Sequence, residues 1–155
     1  MTVVGHSIRD FTVHTASGPV AWSRLRGRKN LVLVLLAGEG QGSARRLIGE
    51  LADRYDEIKE QTSEVVVVFP SEEEAREVNL PFPAAWDPEG ILAREYAHGE
   101  QGEVSALLVT DRFGEVFLHQ WLAPPAGAMD ADSVLGMLEF IEKQCPECGA
   151  PVWGG

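Results

Sequence analysis

Residues 36–47 read "LAGEGQGSARRL", and how this stretch is read decides the fold. Just upstream, residues 31–36 are "LVLVLL". A continuous apolar run of this kind is typical of a strand covered on both faces. Downstream, from Ser43 to about Glu60, Leu47, Ile48, Leu51, Tyr55 and Ile58 recur at helical spacing. Three glycines lie between strand and helix. A strand that ends in such a loop at a helix N-terminus is where many α/β proteins keep their chemistry. The loop here offers glycines, a glutamine and a serine.

Further along the chain, "EVVVVFP" at 64–70 predicts a second fully buried strand. With a helix between them, the two strands should be parallel and joined by a right-handed crossover. "DFTVHTASGPVAW" alternates around Ser17, Gly18 and Pro19 as a hairpin would, and "WSRLRGRKN" is a short polar connection with one helical turn near Trp22. "SEEEAREV" opens with Ser71 and carries Glu74 three residues on, a capping box. "NLPFPAAWDPEG" reads as a loop punctuated by Pro81, Pro83 and Pro88. Asp87 can then cap a short helix through "ILAREYA", with Pro88 in its first position. "VSALLVTDRFGEVFLHQW" is two strands turning at residues 111–114, and "DSVLGMLEFIEKQ" is a last amphipathic helix. The predicted order is β-β-β-α-β-α-α-β-β-α. It implies one α/β domain over residues 1–144, a mixed sheet with helices on both faces, followed by a tail at 145–155.

The bulk numbers narrow the function classes. The chain has 155 residues, the size of one domain, and a net charge of −11. Nucleic-acid binding needs a basic footprint, so this charge argues against it, and equally against an anionic membrane surface. No stretch approaches the ~20 apolar residues of a membrane span. No secretory signal is visible in "MTVVGHSIRD", so the expected location is cytoplasmic.

The order of elements and several phrases together resemble the thioredoxin superfamily. The nearest branch is the peroxiredoxin-like one, the alkyl hydroperoxide reductase/thiol-specific antioxidant group, also called redoxins. The phrases are "IRDFTVHTASGPVAWSRLRGRKNLVLVLL", "LADRYDEI", "VVVVFPSEEEAREVNLPFPAAWDPEGILAREYA" and "ALLVTDRFGEVFLHQW", covering roughly residues 8 to 142. The resemblance implies a thioredoxin-like fold with an N-terminal β-hairpin, and antioxidant or thiol–disulfide oxidoreductase work. It also shows what is absent. Thioredoxins place A-x-x-C-x-x-C after the central strand, and Gly40 and Ser43 stand where those cysteines would be. Peroxiredoxins place a proline and the peroxide-attacking cysteine in the same neighbourhood, and neither is here. The family also places a cis-proline or an arginine just before the "fviD" strand, where this chain has Ser105.

Peroxide reduction needs a thiolate, and dithiol exchange needs two thiols in reach. A serine does not substitute without a base to activate it. Chemistry through residues 40–43 is therefore not expected. What the loop offers instead is a small-anion site. Gly38, Gly40 and Gly42 free the backbone N–H groups, Ser43 follows, and Arg45 and Arg46 lie on the next turn. The plain alternative is a permissive turn left after the cysteines were lost.

Both cysteines of the chain, Cys145 and Cys148, lie in "QCPECGAPVW". Three readings stay open. As a redox pair they would cycle with a disulfide, working on a protein thiol partner. Their place after a helix, beside Glu142 and Glu147 with only Lys143 opposing, keeps the thiols mostly protonated. As a knuckle, "CPECG" looks like half of a zinc ribbon or rubredoxin site. Zinc would need two more ligands, from His6, His14, His98 or His119, from a carboxylate, or from the same pair on a second subunit of a homodimer. No cofactor is required otherwise. The third reading is two incidental thiols after a helix. His119, in "EVFLHQW", is expected as a packed or edge residue, and Trp22, Trp86 and Trp121 as core or loop anchors.

Overall fold

The computed structural model describes residues 3–123 and 129–144. Among these are eight strands, five α-helices and one 3-10 turn (Trp22–Arg24). In chain order they are β1 (Thr12–Thr15), β2 (Gly18–Ala21), β3 (Asn30–Gly38), α1 (Gln41–Asp53), α2 (Tyr55–Glu60), β4 (Ser63–Phe69), α3 (Glu72–Glu77), β5 (Ala84–Trp86), α4 (Ile91–Tyr96), β6 (His98–Gly99), β7 (Gly102–Thr110), β8 (Val116–Trp121) and α5 (Ala131–Lys143). The strands form one sheet in the order β2-β1-β5-β4-β3-β7, with β6 and β8 both on the outer side of β7.

β3 is buried along its whole length up to Gly38 because it sits between β4 and β7 and is covered on both faces. Its alternate residues enter two separate cores. Val32, Val34 and Leu36 pack with Leu47, Leu51, Ile58, Val134 and Leu138 from α1, α2 and α5. Leu31, Leu33 and Leu35 pack with Phe11, Trp22, Leu92 and Tyr96 from the N-terminal segment and α4. That double coverage is why the sequence shows an unbroken apolar run and not an alternating one. β3 and β4 are parallel with Leu33 opposite Val66, while β7 and β8 form an antiparallel hairpin with Leu108 opposite His119.

The mixed sheet, the N-terminal hairpin and the capped α3 agree with the sequence reading. The Glu74 N–H donates to Ser71 Oγ at 3.2 Å, the expected cap. Four details differ. The helix expected over residues 43–60 is two helices, broken at Arg54, whose φ of −113° and ψ of 19° leave the helical region. The segment read wholly as a proline loop contains β5, held by β4 on one side and by β1 on the other. The hairpin turns at Ala16 and Ser17, starting one residue earlier than expected, because Gly18, at φ +115°, already pairs with Thr15. Asp87 does not sit next to its helix. α4 starts after Gly90, and Asp87 Oδ2 reaches over to accept from the Leu92 N–H at 3.0 Å.

Candidate functional site

The loop at the end of β3 is shaped by an irregularity in the sheet. Between Leu35 and Gly38 the β3–β7 register shifts. Ala37 loses its ladder partners there, and a buried peptide group without a partner is costly. Ser105 of β7 supplies both. Its hydroxyl donates to the Ala37 carbonyl at 2.8 Å and accepts from the Ala37 N–H at 3.0 Å. Ser105 is fully buried. The position where the resemblance leads one to look for a cis-proline or an arginine therefore holds a side chain that closes the bulge. No local pattern around Ser105 signals this role, since its partner lies 68 residues away.

Beyond the bulge the glycines are under steric demand. Gly38 has φ +43°, and a Cβ there would fall 2.0 Å from the Glu103 carbonyl oxygen. Gly40, the residue before α1, has φ +86°. A Cβ on it would lie 3.0 Å from the Leu122 carbonyl carbon, the Leu122 oxygen and the Ala123 nitrogen. Gly42 meets nothing within 4 Å. The three glycines are thus not one open cradle. Two are wedged against the backbone of β7 and of the segment after β8, and the third faces open space.

The charged residues around the loop do not converge on it. Arg45 Nη2 donates to Glu74 Oε1 at 2.7 Å, and its guanidinium lies over the Phe69 ring. Arg46 is exposed, and Ser43 is half-buried. Beside the loop runs a groove of about 260 Å³ between the ends of β3 and β4 and the start of α4. Gln41 and Gly38 line it together with Asp87 and Glu103, and its charged lining is acidic.

Cys145 and Cys148 lie outside the described residues. What the structure does place is the helix that leads to them. α5 ends at Lys143, and Glu142 in its last turn accepts a hydrogen bond from Asn30 Nδ2 at 2.7 Å. Asn30 is the first residue of β3 and the glycine loop follows its last, about 26 Å away for eight residues of strand.

The histidines are scattered over the fold: His6 before β1, His14 in β1, His98 in β6 and His119 in β8. Among the described residues no three His, Cys, Asp or Glu side chains are grouped as a metal would need. His119 is packed, as expected. Its Nε2 lies 2.8 Å from the Tyr96 carbonyl, and its ring meets Trp121 edge-on at 4.7 Å. Burial holds its pKa below the ordinary histidine value, with the Tyr96 hydrogen bond opposing. Trp22 and Trp86 are buried anchors. Among the described residues, no helix is long and apolar enough to cross a membrane.

A protein-family model, the AhpC/TSA family, matches residues 4–118, well over half of the chain. The chain belongs to the AhpC/TSA family. Solved structures agree on the fold. The reduced 2-Cys peroxiredoxin of Plasmodium vivax superposes with a TM-score of 0.74 at 16% identity, covering 92% of this chain and 98% of that one. AhpC of Enterococcus faecalis gives 0.73 at 18% identity, covering 96% of each. Thioredoxin peroxidase I of Plasmodium yoelii gives 0.71 at 17% identity, covering 95% of this chain and 93% of that one. No curated protein matches the sequence. This AhpC/TSA family member thus keeps the peroxiredoxin-like architecture around a loop, residues 40–43, that contains no sulfur.

Proposed function

We propose that this AhpC/TSA family member runs no peroxide chemistry at residues 40–43, and that its thiol–disulfide exchange passes through Cys145 and Cys148. The observation that carries the reading is the packing of Gly40. The position that corresponds to the first thioredoxin cysteine has three backbone atoms 3.0 Å from where a side chain would begin. A side chain at position 40 would press on that backbone. The only two thiols of the chain are three residues apart in sequence. In the exchange, one thiolate attacks a disulfide sulfur of a protein partner, forms a mixed disulfide and releases one partner thiolate. The second cysteine then attacks the mixed disulfide. The second partner thiolate leaves, Cys145–Cys148 is oxidised, and the partner disulfide is reduced to two thiols.

The loop is assigned no ligand in this reading. An anion there would face Asp87 and Glu103, with Arg45 already paired to Glu74. The motif "CPECG" itself supports a competing, non-enzymatic reading: a zinc knuckle completed by a second copy of the chain, making the protein a scaffold. One set of measurements separates the two. Metal content and thiol titration are taken on the purified full chain, followed by insulin reduction with dithiothreitol as the electron donor, scored as the rate above dithiothreitol alone. The proposal expects two titratable thiols without prior chelation, and insulin reduction lost in Cys145→Ser and in Cys148→Ser. Stoichiometric zinc with thiols silent until chelation, in a species of dimer mass, overturns it in favour of the scaffold.

A further inference from the structure

Residues 22–30, "WSRLRGRKN", hold Arg24, Arg26, Arg28 and Lys29 and no acidic residue. The whole chain has 13 basic and 24 acidic residues, so a cation on its surface rarely lacks a carboxylate to meet. Arg9, Arg45, Arg54, Lys59, Arg76 and Arg112 each make an ion pair with one. Among the described residues, Arg24, Arg26, Arg28 and Lys29 have no such partner. Arg24, Arg26 and Arg28 are exposed, and Lys29 is half-buried. Like charges gathered this closely repel one another. An acidic protein thus carries one positive stretch that its own carboxylates leave uncompensated.

The stretch is held in shape. Trp22 is buried, and a Cβ on Gly114 would fall 2.8 Å from its ring. The Leu25 N–H donates to the Trp22 carbonyl at 2.8 Å, and the Arg28 and Lys29 N–H groups both donate to the Leu25 carbonyl at 2.9 Å. The Arg26 guanidinium lies over the Trp22 ring, 5.4 Å from its centroid. The Gly27 N–H donates to the Arg112 carbonyl at 2.6 Å and so ties the stretch to the β7–β8 turn. The next residue of that turn, Phe113, is 51% exposed. Asp111 in the same turn is engaged by the Phe113 and Glu115 N–H groups, both at 2.9 Å. The stretch runs into the first residue of β3, at the opposite end of that strand from the glycine loop.

We propose that residues 24–29 and Phe113 form a docking surface for a short acidic segment of a partner protein. Carboxylates of the segment meet Arg24, Arg26 and Arg28, whose planar guanidinium groups can each take a carboxylate through two N–H donors. An apolar side chain of the segment covers Phe113. A surface already fixed by backbone bonds loses little freedom on binding. A bilayer or a long nucleic acid would extend past this stretch onto a surface where acidic residues dominate, whereas a short peptide covers the stretch alone. The inference does not depend on where thiol chemistry runs.

The test uses the full chain and a fluorescein-labelled peptide of alternating aspartate and glutamate with one central phenylalanine, followed by fluorescence anisotropy at low salt. The peptide should bind, and binding should be lost in about 1 M salt. Arg24→Gln, Arg26→Gln and Arg28→Gln together should weaken it about tenfold, the combined effect expected of three exposed pairs. Arg24→Gln with Arg28→Gln leaves the Trp22 contact intact and should weaken it about fivefold, should the triple variant fail to fold. Arg9→Gln, Arg76→Gln and Arg94→Gln together change the net charge as much as the triple variant and should leave binding within about twofold of the unmodified chain. No binding by the unmodified chain, or an equal loss in this control, overturns the proposal. Tighter binding to oligothymidylate or to phosphatidylserine-containing vesicles, or a salt-sensitive self-association, lost in the Arg24, Arg26 and Arg28 variant, overturns it in favour of those partners.

Discussion

Placing a cysteine at residue 40 is the most direct challenge to the account of the closed loop. The backbone of Gly40 is left-handed, at φ +86°, which costs an L side chain about 1–2 kcal/mol. The new Cβ would lie 3.0 Å from Leu122 C, Leu122 O and Ala123 N, and main-chain atoms yield less readily than a side chain. Overpacking of this kind costs typically about 1–3 kcal/mol. Gly40→Cys should therefore lose about 2–5 kcal/mol, a large share of the ~5–15 kcal/mol that holds a domain together. For a chain of this size that corresponds to a fall in Tm of roughly 5–15 °C. The measurement is urea unfolding of Gly40→Cys made in a Cys145→Ser, Cys148→Ser background, so that any peroxide consumption belongs to position 40. Gly42→Cys is the control. Nothing lies within 4 Å of a Cβ there, and stability should stay within about 1 kcal/mol of the parent. A Gly40→Cys protein as stable as its parent and consuming peroxide briskly would refute the reasoning, because it would show that residues 122–123 withdraw at no cost.

Two further outcomes follow from the same geometry. Ser105→Ala removes the only hydroxyl between two buried groups of Ala37 and should cost about 2–4 kcal/mol in urea unfolding, whereas Ser105→Thr, which keeps the hydroxyl, should recover part of that loss if its methyl is accommodated. His119 binds its proton less readily in the fold than in the unfolded chain, so the unfolded state takes up the proton first as pH falls through the ordinary value of about 6.5. Stability should decline with falling pH from there down to the lowered folded pKa, and His119→Gln should flatten that part of the curve; an unchanged slope would mean that His119 is not the group responsible.

The sequence made the frame of this fold readable where burial is extreme. β3 and β4 announce themselves because both faces are covered, α3 because Ser71 and Glu74 form its cap, and α5 because of its apolar stripe. The strand that was missed depended on partners far along the chain. β5 is three residues among prolines and exists as a strand because β1 and β4 flank it. The break at Arg54 is invisible to periodicity, since Leu51, Tyr55 and Ile58 keep the stripe running across it. At the loop, composition revealed the missing sulfur but not the closure. The atoms that press on Gly40 belong to Leu122 and Ala123, some eighty residues later. The glycines looked like freedom in one dimension and are a packing requirement in three.

The serine rivet at the bulge makes this loop hard to re-equip. A side chain at position 40 requires the segment at residues 122–123 to retreat, and a substitution at Ser105 requires new partners for both main-chain groups of Ala37. Installing a reactive sulfur at this address is therefore a task for coordinated changes on β7 and after β8, not for a single substitution.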